Sequence, residues 1–272
     1  MLKILYWIII IFGGTFLVFS LYIYFNQHKM VFFPSQTFID SPDNWKIEFE
    51  NIFINVNESE KIHGWYFPST DTTVKKTVLL FHGNGGNISN RMPTIQFFVK
   101  NKINLFLFDY RGYGQSDGKP SEENMYVDSK VAYNWLLEQK EVLPQDIILF
   151  GRSLGGVPAI DLATKADCKG LILESTLTSA KDIGKLMFPG MPINFLLRYK
   201  LNSIDKIDKI KCPVLICHSQ TDEIIPFEMG QKLFEKAKEP KQFFELFGGH
   251  NELEYLDNDK YQHSILNLIN RF

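Results

Sequence analysis

Three residues could together make a nucleophile: Ser153, Asp222 and His250. Ser153 sits in Gly151-Arg152-Ser153-Leu154-Gly155, after the apolar run 147–150 and before a helix predicted over 156–165. A strand, a sharp turn and a helix with serine at the apex lift the hydroxyl above a sheet edge and aim the helix N-terminus at the reacting centre. A serine hydroxyl is a poor nucleophile until a base takes its proton. An imidazole does that near neutral pH and later returns the proton to a leaving group. A carboxylate fixes the imidazole tautomer and stabilises the cation that forms. His250 lies in Gly248-Gly249-His250-Asn251 after the predicted strand 242–247, and Asp222 follows the predicted strand 212–218.

An anion formed at the carbonyl needs N–H donors. The predicted strand 77–81 ends in His82-Gly83-Asn84-Gly85-Gly86-Asn87, a glycine-rich turn that exposes main-chain amides at the same edge. The N–H groups of Asn84 and Leu154 are the candidate donors. His82 reads as shaping that turn. Glu174, at the end of the predicted strand 170–173, is the rival for the carboxylate role. Asp109 and Arg111 suggest a structural ion pair or turn. His218 reads as a satisfied strand-end histidine, and His28, His63 and His263 have no partner visible in sequence. No histidine has metal-ligand spacing with cysteines or acids, so neither a metal nor another cofactor is expected.

These residues need a scaffold that brings strand ends together. From Thr77 onward predicted strands and helices alternate, which indicates an α/β chain with a mostly parallel sheet and helices on both faces. A hairpin precedes it, with strands over 46–56 and 61–67 about a turn at 57–60. The clearest helix is 122–139, with Met125, Val127, Ala132, Trp135 and Leu136 suited to a buried face. Another closes the chain over 261–269. The segment 175–211 interrupts the alternation above the predicted site and reads as a short cap. Its apolar residues, among them Leu186, Met187, Phe188, Phe195 and Leu196, either pack the cap onto the core or form an acyl-chain groove or a surface that dips into a bilayer.

The chain has 272 residues and a formal net charge of −2, with no basic stripe, which argues for one large domain and against a nucleic-acid partner. Cys168, Cys212 and Cys217 are too few for a disulfide framework, and Cys212 and Cys217 are expected on opposite faces of one strand. The stretch from Ile4 to Phe25 carries no charge and as a helix would span about 33 Å, enough for a hydrocarbon core of about 30 Å. Tyr6, Trp7, Tyr22 and Tyr24 lie near its ends, where amphipathic rings prefer the interface. Residues 1–28 therefore read as a single-pass membrane anchor, with the lipid bilayer as partner, and 29–272 as the globular domain. A cleaved signal peptide is the rival, disfavoured by the length of the run and the lack of a small-x-small site after it. Lys3 on one side and His28 and Lys29 on the other nearly balance, so the positive-inside rule leaves the orientation open.

His82-Gly83-Asn84-x-Gly86-Asn87, Asp109-Tyr110-Arg111-Gly112-Tyr113-Gly114-x-Ser116 and Gly151-Arg152-Ser153-Leu154-Gly155-Gly156 together resemble the α/β-hydrolase superfamily. Within it they are similar to membrane-anchored serine hydrolases, some of which are depalmitoylating thioesterases. The resemblance runs from about Ile47 to the C-terminus. It implies the α/β-hydrolase fold, and the order Ser153, Asp222, His250 is the triad order of that fold. It also implies cleavage of esters or thioesters, with a small-molecule or acylated substrate. A small aminopeptidase-like serine peptidase and a non-catalytic scaffold are the alternatives.

Overall fold

The computed structural model describes residues 2–252 and 258–271. It opens with a 30-residue helix, α1 (Leu2–Val31), long and apolar enough to cross a bilayer. The helix is exposed over most of its length and buries only Ser20, Ile23 and Gln27. Those three share one face, at spacings of three and four, and that face meets the cap. The expected domain boundary after residue 28 falls within α1. The two-residue strand β1 (Phe33–Pro34) follows the helix directly.

Next comes the hairpin β2 (Glu50–Asn55) and β3 (Lys61–Phe67), paired antiparallel. Strand β4 (Thr77–Phe81) leads through the short β5 (Gly85–Gly86) to helix α2 (Met92–Lys100), and β6 (Asn104–Phe108) to α3 (Glu122–Gln139). Strand β7 (Ile147–Arg152) leads to α4 (Gly156–Ala163), and β8 (Gly170–Glu174) to the cap helices α5 (Ala180–Met187) and α6 (Ile193–Leu196). Strand β9 (Val214–Ser219), helix α7 (Phe227–Lys236), strand β10 (Lys241–Leu246) and helix α8 (Asp259–Arg271) complete the chain.

Eight strands form the main sheet in the order β10-β9-β8-β7-β4-β6-β3-β2, parallel from β10 through β6. Because side chains alternate along a strand, both faces of the parallel strands must be covered, and their sequences are continuously apolar. Leu79, Phe81, Leu149 and Leu171 pack in one core, and Val78, Leu80, Ile148 and Ile172 in the other. This is the α/β-hydrolase architecture. Parallel pairing has a functional result: every main-sheet strand from β4 to β10 delivers its carboxyl end to one edge of the sheet.

Helix α3 starts where Ser121 caps it, its side chain accepting the Asn124 N–H at 3.0 Å, with Glu122 and Glu123 in the first turn. Its buried residues are Met125, Asp128, Ser129, Ala132, Tyr133 and Leu136. Val127, expected on that face, is exposed, because it lies about 200° around the helix from Met125. Cys212 precedes β9 rather than sharing it with Cys217, and its thiol faces that of Cys168 at 3.1 Å. Arg111 does not pair with Asp109. It bonds Asp128 at 2.7 Å and Glu60 at 2.9 Å, while Asp109 lies between His82, at 3.4 Å, and His63, at 3.8 Å.

Candidate active site

Strand β7 ends at Arg152 and the next residue turns sharply: Ser153 has φ of +53°. A non-glycine residue in the left-handed region is strained and persists only where its surroundings hold it. Here the helix that follows packs hard against β4. A Cβ on Gly155 would stand 2.1 Å from the Phe81 carbonyl oxygen, and one on Gly151 would stand 2.5 Å from Gly156 Cα. The two glycines let the turn close. Gly155→Ala is expected to cost about 3 kcal/mol or more through overpacking, a fall of about 6–12 °C in melting temperature measurable by differential scanning fluorimetry.

The turn brings Ser153 Oγ to 2.9 Å from His250 Nε2, and His250 Nδ1 lies 2.7 Å from Asp222 Oδ2. All three residues are buried. With a carboxylate at Nδ1, that nitrogen carries the proton and Nε2 is left to accept from the serine hydroxyl. The other carboxylate oxygen, Asp222 Oδ1, accepts the N–H groups of Ile224 at 3.0 Å and Ile225 at 2.8 Å. Burial pushes the Asp222 carboxyl up, but its bonds from His250 and Ile225 outweigh that and hold its pKa below the ordinary value. His218 lies 3.6 Å from the same carboxylate and donates its Nε2–H to the Ile225 carbonyl at 2.8 Å. Burial lowers its pKa, so it stays a neutral neighbour.

Glu174, the rival carboxylate, is engaged elsewhere. It accepts Arg152 Nε at 2.9 Å and the hydroxyl of Tyr261. Arg152 extends the chain by donating Nη2–H to the His250 carbonyl at 3.0 Å, and Glu223 accepts the His250 N–H at 2.9 Å. Two side chains thus hold the main chain of His250 from opposite ends. Sequence reading missed both roles. The one signal available was a charged residue next to the serine, at a strand end where the edge is buried.

On the other side of Ser153, the glycine-rich turn passes close. A Cβ built on Gly83 would be 3.4 Å from the serine Cβ, so the chain at Gly83-Asn84 runs beside the nucleophile. His82 is fully buried behind it, its Nδ1 bonded to the Gly83 carbonyl at 2.7 Å. Leu154 is the second residue of the 3-10 turn 153–155, where amides precede any intrahelical acceptor. The arrangement can deprotonate a serine hydroxyl and offer main-chain N–H groups beside it. Among the described residues no cluster of histidines, cysteines and acids could hold a metal ion.

Three kinds of comparison relate this chain to known proteins. The family model described as "Serine aminopeptidase, S33" matches residues 72–204. An uncharacterised protein of Mycobacterium tuberculosis, Rv2307c, is 32% identical over 93% of this chain and 89% of its own length. The human α/β-hydrolase domain-containing protein 17B is 37% identical over 69% of this chain and 65% of its own. Among solved structures, the Pyrococcus furiosus esterase Pf2001 superposes with a TM-score of 0.73 at 20% identity, over 88% of this chain and 99% of that one, a likeness of fold.

Proposed function

The chain belongs to the α/β-hydrolase superfamily, and on that premise we propose that it is a membrane-anchored serine hydrolase of acyl esters or thioesters. The observation that carries the reading is the unbroken line from Ser153 Oγ through His250 to Asp222, at 2.9 and 2.7 Å. In this reading His250 Nε2 takes the serine proton as Oγ attacks the substrate carbonyl. The N–H groups of Asn84 and Leu154 bind the oxyanion. His250 returns the proton to the leaving alcohol or thiol, and the acyl group stays on Ser153. Water, deprotonated by the same imidazole, then releases the acid. Asp222 holds the tautomer and balances the imidazolium charge.

The acyl character of the substrate is inferred from the cap. Phe188 meets Phe19 of α1 with ring centroids 6.3 Å apart, and Gln27 bonds the Leu196 carbonyl at 2.5 Å and the Arg198 N–H at 2.8 Å. If the uncharged run to Phe25 fills the bilayer, Phe19 lies about 9 Å inside its end. The cap residue that touches it is then inside the leaflet as well. Leu186, Met187 and Phe195, on the cap helices beside this contact, are 58, 63 and 87% exposed, a costly display in water and a natural one in lipid. The cap also holds a concavity of about 600 Å³, in which Leu197, Tyr199 and Ile204 lie beside Lys181, Asp182 and Asn202. A cap lowered into the leaflet places the site where acylated substrates are found.

The test is hydrolysis of p-nitrophenyl esters from two to sixteen carbons by the full chain in lipid nanodiscs. Long chains should be favoured. Phe195→Glu should lower kcat/KM for the sixteen-carbon ester about tenfold or more, since a carboxylate in lipid costs about 2–3 kcal/mol, and leave the four-carbon ester within about twofold. A preference for short chains, indifferent to Phe195, would reduce the cap to packing. The description of the matching family model keeps a second reading, an aminopeptidase. Turnover of aminoacyl p-nitroanilides faster than of esters would favour it.

A further inference from the structure

The residues that leave α1 do more than tether the domain. Helix α1 runs to Val31, Phe32 bonds back to the His28 carbonyl at 3.0 Å, and the chain then enters β1 with no intervening linker. Strand β1 pairs in parallel with β5, Phe33 opposite Gly85 and Pro34 opposite Gly86. The Phe33 N–H donates to the Asn84 carbonyl at 3.0 Å, and the Ser35 N–H to the Gly86 carbonyl at 3.1 Å. Side chains reinforce the pairing. Asn84 Nδ2 donates to the Val31 carbonyl at 3.3 Å, and Asn87 Nδ2 to the carbonyls of Ser35 at 3.0 Å and Thr37 at 2.9 Å. Phe32, 3% exposed and edge-on to Tyr199 at 5.3 Å, pins the segment to the core.

The turn it grips is conformationally loose by composition. Gly83, Gly85 and Gly86 surround Asn84, and an added Cβ on Gly85 would meet nothing within 4 Å. Asn84 therefore needs outside partners to hold one orientation. Its carbonyl takes two donors, Phe33 N–H and the Tyr113 hydroxyl at 2.9 Å, and its side chain is bonded to Val31. These contacts fix the Cα of Asn84 and so the position of its nitrogen, while the peptide plane that carries its N–H is held at the Gly83 carbonyl by His82 Nδ1 at 2.7 Å.

We propose that residues 31–35 are a positioning element of the oxyanion hole, so that the anchor's exit strand sets the turnover rate of the site and not merely its address. This rests on reading Ser153 as the nucleophile and the Asn84 N–H as an oxyanion donor. Oxyanion binding strengthens as the tetrahedral intermediate forms, so a misdirected donor lowers kcat more than it raises KM.

The experiment compares Phe33→Pro with Phe33→Ala in the full chain in detergent micelles, using p-nitrophenyl butyrate and a thermal melt. Proline lacks the N–H that reaches Asn84, whereas alanine keeps it and removes only a half-exposed ring. Phe33→Ala should stay within about twofold of wild type in kcat and KM. Phe33→Pro should lose about ten- to hundredfold in kcat, less than the full loss of a donor, with KM within about twofold and an intact melting transition. Equal kcat in the two variants would overturn the proposal. Should Phe33→Pro lack a melting transition, Asn84→Ala decides. It keeps the N–H but cuts the bond to Val31, and a selective loss of kcat supports the proposal while wild-type kcat overturns it. Ser153→Ala, run alongside, separates the two levels. If wild-type turnover survives that change, the underlying reading has failed. If turnover needs Ser153 yet ignores Phe33→Pro, the positioning role alone has failed.

Discussion

Ser153→Ala is expected to lower kcat by about four orders of magnitude or more on any ester the wild-type chain turns over, and to abolish labelling by a fluorophosphonate. In the proposed mechanism the change deletes the one atom that attacks the carbonyl, and neither His250 nor a main-chain N–H can replace it. The fold should tolerate the loss. Ser153 Oγ bonds His250, and losing one such bond costs about 1 kcal/mol, or about 2–4 °C in melting temperature. A steady-state assay beside a melt checks both halves. Undiminished turnover in the variant would remove Ser153 from the reaction, and with it the proposed function.

The second large effect separates two buried carboxylates. Asp222→Asn should lower kcat by about four orders of magnitude, because an amide can donate to His250 Nδ1 and fix the wrong tautomer, leaving Nε2 protonated and unable to accept from Ser153. Glu174→Gln should cost kcat less than about tenfold and fall instead on stability. It leaves the partly buried Arg152 beside a neutral partner, a loss of about 3 kcal/mol, which corresponds to about 6–12 °C. Kinetics and melts on the two variants form a cross. A fall in kcat for Glu174→Gln matching that of Asp222→Asn would move the carboxylate role. The Asp222 charge itself should survive mild acid. Its folded pKa lies below the unfolded value, so the stability it contributes is complete above about pH 4 and is lost as pH falls through the folded pKa. An acid limb of activity between pH 5 and 7 therefore reports a group other than Asp222.

Much of the scaffold was legible because it is written in local patterns. Apolar runs ending in Gly-rich turns marked β4, β7 and β10, an apolar run ending in a polar loop marked β9, and alternation with helices implied parallel pairing. Parallel pairing alone sends the residues after those strands to one sheet edge. Hence the neighbourhood of Ser153, Asp222, His250 and Asn84 could be read without coordinates. Strand β2 starts four residues after the expected 46, and the other expected strand limits moved by two residues or fewer, yet that small shift took Cys212 out of β9 and set it against Cys168.

What the sequence by itself determined is therefore the order of strands, turns and helices, the apolar span of α1, and the set of chemically able residues at one edge. What only the tertiary structure decided is who holds whom. Asp222 faces His250 while Glu174 is taken by Arg152 and Tyr261. Arg111 chose Asp128 over Asp109. The segment leaving α1 pairs with a turn some fifty residues away, and the C-terminal part of α1 lies on the cap. The reason is physical. Periodicity and turn chemistry act between neighbours in the chain. The choice among several possible charge partners, or the meeting of two-residue strands too short to carry a pattern, depends on where distant backbone has already been packed.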